Sequence, residues 1–318
     1  MRDHGGNLDM IRAARGGEDW IDLSTGINRV PWPLPPIRPE AWSALPLASA
    51  RDALLRTAGL AYRTQAPMVA LAGAQAAIQM LPHVMGKGLM RVLGPTYNEH
   101  AACFLAAGWR VEQVSAPDGL AGADVAVVVN PNNPDGRVHE PADLLALRTR
   151  VGMLIVDESF ADPVPELSVA AQAGQDGLVV LRSFGKFYGL AGVRLGFAIG
   201  DGPTIASLST MAGPWPVAGP TLEIGTAALA DVDWAQATTQ RLAQEGPRMD
   251  DLAQGAGWHL VGGTHLFRLY DTPDAAAAQE RLAAHRIWSR IFPWSPRLIR
   301  LGLPGMGTEW QRLATALN

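Results

Sequence analysis

The sequence predicts an α/β protein, with a large domain built on a mostly parallel sheet and a small α+β domain after it. Three observations carry this reading. Between about residues 50 and 210, short apolar runs alternate with stretches of helical periodicity. Those runs are apolar throughout, without the alternation of a sheet that has one wet face, so helices must cover both sides. Beyond about residue 230 the order changes to strand, helix, strand, strand, helix, the pattern of a separate small unit.

The elements follow in chain order. Residues 1–45 read as irregular. Within them Val30-Pro31-Trp32-Pro33-Leu34-Pro35-Pro36 must be extended, because proline fixes its own φ and restricts its predecessor. Its apolar content places it against the body of the protein. Buried strands are expected at 68–71, 90–94, 124–129, 153–156, 177–181 and 195–199, with helices at 74–85, 99–107 and 141–150. Residues 203–229 read as helix broken at Gly213-Pro214-Trp215-Pro216, with Pro203 in a first turn where its missing N–H costs nothing. A long amphipathic helix fills 233–255, followed by strands at 265–270, 287–291 and 297–301 and helices at 275–285 and 308–317. The implied organisation is an N-terminal arm (1–45), a large α/β domain (46–230) and a small domain (231–318).

Composition narrows the function classes. The 318 residues are 48% hydrophobic and 18% charged, with a net charge of −4, which gives no field that gathers nucleic acid or an anionic membrane. The single cysteine, Cys103, excludes an internal disulfide framework and fits a reducing cytosol. There is no apolar signal core after Met1 and no run long enough to span a bilayer, so the expected location is the cytoplasm. His83, His100, His139, His259, His265 and His285 show no metal-ligand spacing and read as structural or surface residues, and no metal is expected.

The chemistry starts from lysine. Of 26 basic residues only Lys87 and Lys186 are lysines. Arginine stays protonated near neutrality, whereas a desolvated lysine can act as an amine nucleophile. Lys87 lies in an exposed-looking turn, Gly86-Lys87-Gly88, but Lys186 lies in the apolar, glycine-bearing run Ser183-Phe184-Gly185-Lys186-Phe187-Tyr188-Gly189.

Four junctions surround it in the pattern. Leu71-Ala72-Gly73-Ala74-Gln75 ends a strand and opens a helix, where free N–H groups and the helix dipole favour an anion. Asn130-Pro131-Asn132-Asn133-Pro134-Asp135-Gly136 follows a very apolar strand and puts amides at the sheet's carboxyl edge, although ordinary turns use the same residues. Val156-Asp157-Glu158 ends another buried strand with an acid that must be paired or hydrogen-bonded there. Ser183 and Arg194 bracket the lysine with a hydroxyl and a guanidinium that can clamp a phosphate.

In this order the motifs resemble the aminotransferase class I/II family, enzymes of the pyridoxal-phosphate-dependent transferase-like fold (fold type I), from about residue 45 to the C-terminus. The resemblance implies that Lys186 binds pyridoxal 5'-phosphate covalently, that Asp157 pairs with the pyridine nitrogen and that Asn133 hydrogen-bonds the ring oxygen. It implies that Gly73, Ala74, Gln75, Ser183 and Arg194 hold the phosphate, that Tyr97 stacks on the ring, and that the protein is a homodimer. Two departures stand out: Phe160 occupies a position that is often Tyr, and Leu45 occupies one whose Tyr reaches the partner subunit's phosphate, which puts that cross-subunit bond in question.

His4-Gly5-Gly6-Asn7, Asp22-Leu23-Ser24-Thr25-Gly26-Ile27-Asn28 and Asp157-Glu158-Ser159-Phe160 look like the threonine-phosphate decarboxylase subgroup of cobalamin synthesis. That implies L-threonine O-3-phosphate as substrate, a small phosphorylated amino acid, with (R)-1-amino-2-propanol O-2-phosphate and CO2 as products. Arg300 matches the family's carboxylate arginine, and Arg290, with His4 and Asn28, could hold the substrate phosphate. A histidinol-phosphate-type aminotransferase uses nearly the same residues and is the alternative. A nicotinamide-dependent enzyme is disfavoured, because Gly196 and Gly200-Asp201-Gly202 follow no strand–GxGxxG–helix pattern. A non-catalytic binding protein is disfavoured by the joint presence of Lys186, Asp157 and Asn133.

Overall fold

The computed structural model describes residues 4–318. It divides into two compact units. The large unit is Trp32–Asn133 with Arg137–Trp234; the small unit is the segment up to Pro31, Pro134–Gly136 and Ala235–Asn318.

The N-terminal segment is more regular than expected. Helix α1 (Leu8–Arg15) is capped by Asn7, whose Oδ1 accepts from the Met10 N–H at 3.3 Å. Ile11 is buried on α1 beside Trp20 and Ala283. Strand β1 (Ile21–Asp22) follows.

The large unit then runs α2 (Pro39–Ser43), α3 (Ala48–Ala61), β2 (Met68–Leu71), α4 (Ala74–Val84), β3 (Leu89–Leu93), α5 (Glu99–Ala106), β4 (Arg110–Val114), β5 (Val125–Val129), α6 (Pro141–Arg148), β6 (Met153–Asp157), β7 (Leu178–Ser183), α7 (Phe184–Phe187), β8 (Gly196–Ile199), α8 (Gly202–Ala212) and α9 (Gly219–Ala230). Its seven strands order as β2-β8-β7-β6-β5-β3-β4. Only β8 runs against its neighbours β7 and β2. The carboxyl ends of β2, β3, β5, β6 and β7 therefore share one edge. Strand β5 is buried at all five positions, as its Val-Ala-Val-Val-Val sequence requires of a strand covered on both faces. Strand β4 has no counterpart in the sequence reading: Arg110 and Glu112 break its apolar character, which an edge strand tolerates and uses against unwanted pairing.

Helix α10 (Val232–Gly255) leads into β9 (His259–Thr264), β10 (Phe267–Asp271), α11 (Ala275–Ala284), β11 (Ile287–Trp288), β12 (Arg290–Phe292), β13 (Ser295–Gly302) and α12 (Gly307–Leu317). The small sheet orders as β12-β13-β10-β9 and is antiparallel. The single strand expected at 287–291 is two: β11 pairs with β1, and β12 pairs with β13. Strand β9 was hidden by exposure and by its two glycines.

Candidate active site

Five chain segments of the large unit meet the shared sheet edge. Gly73 follows β2 with φ 81° and ψ 162°, a conformation open essentially only to glycine. It is the N-cap of α4, whose first turn has no side-chain cap. A Cβ on Gly73 would lie 2.8 Å from Arg194 Nη2, so the guanidinium lies directly against this backbone. Arg194 has a left-handed conformation at φ 55°, just before β8. Gly196 permits the closeness, since a Cβ there would sit 2.2 Å from the Ala74 nitrogen. Ser183, at the end of β7, makes no capping bond to α7. Uncapped amides, a hydroxyl and a guanidinium around a glycine cradle suit a phosphate.

The side chain of Gln75 is engaged elsewhere. Its Nε2 donates to Glu99 Oε2 at 3.0 Å, and its Oε1 accepts from Tyr97 Oη at 3.2 Å. Gln75 can thus offer an anion only its main-chain N–H. Tyr97 also meets His100 edge to face, with centroids 6.1 Å apart.

Asp157 closes β6 and is buried. Its Oδ2 lies 2.9 Å from His100 Nε2, and its Oδ1 accepts from the Ser159 N–H at 3.0 Å. Burial opposes ionisation, yet the hydrogen bond and coulombic interaction with His100, then the charge of Lys186, hold its carboxyl down at about 2. His100, read from sequence as structural or surface, is a buried partner of this acid. A lone histidine on a helix gives no spacing signal, so only the fold brings it to Asp157.

Lys186 lies in the single turn of α7, its Nζ 5.0 Å from the centroid of the Phe160 ring. The ring face of Phe160 partners the amine, and the position carries no hydroxyl. Behind it, Arg182 Nη1 donates to Glu158 Oε2 and Nη2 to Asp162 Oδ1, both at 2.9 Å, with the guanidinium 4.4 Å above the Tyr62 ring. Burial pushes the Glu158 and Asp162 pKa values up against the attraction of Arg182. This buried triad ties the residues that follow Asp157 to β7, the strand that leads into the helix of Lys186. The Asn130 side chain exchanges two hydrogen bonds with the His139 backbone, and Asn132 bonds Thr96 and the Pro95 carbonyl, so both shape the turn that carries the half-buried Asn133.

The small unit brings together a second set. Arg290 on β12 and Arg300 on β13 are directly opposite in register. Arg300 is buried; its Nη2 donates to the Ser24 carbonyl at 2.6 Å and its guanidinium lies 5.1 Å from the Phe267 ring. Burial, with the charge of Arg290 added, pushes its pKa down to about 10. Two cations facing each other across a ladder are destabilising unless an anion joins them. His4 and Arg290 line one cavity of about 370 Å³ with Ser24, Trp288 and Phe292. Asn28 is engaged elsewhere: its Oδ1 accepts from Arg241 Nη2 at 2.7 Å and from the Val30 N–H at 3.0 Å.

The sequence model of the family described as aminotransferase class I and II matches residues 45–314. The chain belongs to this family. Among family relatives, the threonine-phosphate decarboxylase of Pseudomonas aeruginosa is 43% identical, over 100% of this chain and 97% of its own length. A histidinol-phosphate aminotransferase of Mycobacterium bovis is 30% identical, over 75% of this chain and 67% of its own. The histidinol-phosphate aminotransferase structure from Sinorhizobium meliloti, in complex with pyridoxal-5'-phosphate, superimposes with a TM-score of 0.86 at 17% identity, covering 98% of this chain and 93% of that one. That likeness establishes the fold expected from the sequence, a mostly parallel large sheet with a small antiparallel one. Among the described residues no helix is long and apolar enough to cross a membrane.

Proposed function

We propose that this member of the aminotransferase class I and II family is a lyase that decarboxylates L-threonine O-3-phosphate to (R)-1-amino-2-propanol O-2-phosphate, a step of cobalamin biosynthesis. The observation that carries the reading is the 43% identity to a threonine-phosphate decarboxylase along the whole chain, N-terminal arm included. The histidinol-phosphate aminotransferase relative matches over only 75% of the chain.

Pyridoxal phosphate is the cofactor. The chain fits it on its own geometry: an uncapped helix start behind Gly73, the Arg194 guanidinium against that glycine, an ionised buried acid and a half-buried lysine. When bound it supplies an acceptor for the electron pair released as a bond at the substrate Cα breaks. We assign the phosphate to Gly73, Ala74, the Gln75 N–H, Ser183 and Arg194, the ring oxygen to Asn133 and a ring face to Tyr97. Asp157, ionised and fixed by His100, holds a proton on the ring nitrogen. Lys186 would anchor the cofactor, and its Nζ would deliver to the substrate Cα the proton that takes the place of the departing carboxylate.

Which bond breaks is decided by orientation, and the two arginines control it. Arg300 takes the substrate carboxylate. Arg290 and His4, which line one cavity, take the substrate phosphate. The arm of residues 1–45 supplies His4 and so joins the active site. Exposed Trp42, Leu45, Leu47 and Leu60 support a homodimer that covers them. The single buried Cys103 fits a cytoplasmic enzyme.

The test is a substrate comparison on holoenzyme: kcat/KM for L-threonine O-3-phosphate without acceptor against histidinol phosphate with 2-oxoglutarate. Preference for the first by orders of magnitude supports the reading, and preference for the second replaces it with the aminotransferase.

A further inference from the structure

Ser24 is fully buried in the small unit and has no place in the roles assigned above. Each of its polar atoms is engaged. Its carbonyl oxygen accepts from Arg300 Nη2 at 2.6 Å. Its Oγ accepts from the Gly6 N–H at 2.8 Å and donates to Asp22 Oδ1 at 2.5 Å. Its own N–H donates to the same Asp22 oxygen at 2.9 Å. The arm meets it at van der Waals limits: a Cβ on Gly5 would lie 2.4 Å from the Ser24 carbonyl oxygen, so only glycine passes there. Gly6 has φ 86°, again a glycine conformation. Ser24 also lines the cavity that holds His4 and Arg290.

The geometry points to Ser24 as a positioning residue for substrate recognition: its hydroxyl clamps the His4-Gly5-Gly6 arm in place beside Arg290, while its carbonyl fixes Arg300. The inference rests on the reading of His4 and Arg290 as phosphate ligands. One residue thereby sets the separation of the two anion sites, and with it the length of the dianionic amino acid that is accepted. Asp22 orients the hydroxyl by accepting its hydrogen bond, which leaves the Oγ lone pairs for the Gly6 N–H. Any side chain at Gly5 would collide with the carbonyl that Arg300 uses.

The test is calorimetric titration of inorganic phosphate into the holoenzyme, with steady-state kinetics on L-threonine O-3-phosphate alongside. Ser24→Ala should weaken phosphate about threefold to tenfold, the effect of one lost hydrogen bond, and raise KM with kcat held. His4→Ala should weaken it to a similar degree. The Ser24→Ala/His4→Ala double variant should be no weaker than the worse single one, because Ser24 acts through the arm. Ser24→Thr, which keeps the hydroxyl, should restore phosphate affinity. If Ser24→Ala does not fold, Ser24→Cys carries the same comparison with a weak sulfur acceptor. Unchanged phosphate affinity in Ser24→Ala, multiplicative losses in the double variant, or a fall in kcat alone would each overturn the proposal. A wild-type protein that binds phosphate but releases no CO2 would instead count against the decarboxylase reading, so the two failures are distinct.

Discussion

Replacing His100 with Phe keeps an aromatic ring of similar size in the buried site and removes one donor. The bond lost spans 2.9 Å between side chains only 1% and 3% exposed. Asp157 now sits at about 2 against an ordinary 3.8, a difference worth roughly 2 kcal/mol to its ionised form. Burial is the largest influence on this carboxyl and acts upward, while His100 leads the opposing influences. Without His100 the leading downward influences are gone, and the carboxyl titrates above its wild-type value. The sign follows. In the wild type the depressed value stabilises the fold above pH 3.8, and that contribution is lost only as pH falls through about 2. In His100→Phe cofactor retention should fail at higher pH, and at neutrality pyridoxal phosphate should bind about tenfold to a hundredfold more weakly, as the loss of a buried charge-assisted bond predicts. Absorbance titration of the apoenzyme with pyridoxal phosphate from pH 4 to 8 measures both. An affinity and acid profile that superimpose on the wild type would refute the placement of His100 behind the acid.

Other outcomes are equally direct. Lys186→Ala should abolish CO2 release and the visible absorbance of the holoenzyme, and borohydride should leave no cofactor fixed to the variant. Gly73→Ala meets both a glycine-only backbone and the Arg194 guanidinium, so it should cost about 1–3 kcal/mol in denaturant unfolding and weaken cofactor binding. Arg290→Gln should raise the KM for L-threonine O-3-phosphate by about tenfold or more, as the loss of a charged partner for the substrate phosphate predicts. An unchanged KM would mean that Arg290 does not meet the substrate phosphate.

The residues at the sheet edge were legible because each follows a buried strand and differs chemically from it. Gly73, Asn133, Asp157 and Ser183 interrupt apolar runs, and their order along the chain matches one family. What stayed hidden depends on the third dimension. His100 carries no local signature, and its meaning comes from the packing of α5 against the end of β6. The opposition of Arg290 and Arg300 is a matter of strand register, which nine intervening residues with a hairpin do not disclose. Strand β4 and helix α1 were obscured by charge, β4 at a sheet edge and α1 by its exposed polar residues, because the apolar pattern that marks buried elements weakens where solvent takes one side. Arg182 looked like one more arginine until Glu158 and Asp162 closed around it.

The most direct test of the account is the fate of carboxyl-labelled L-threonine O-3-phosphate incubated with holoenzyme and no amino acceptor. Labelled CO2 should appear in step with 1-amino-2-propanol O-2-phosphate, one for one, and none should appear from the Lys186→Ala protein. Label retained in an oxo acid that forms only when 2-oxoglutarate is added would contradict it.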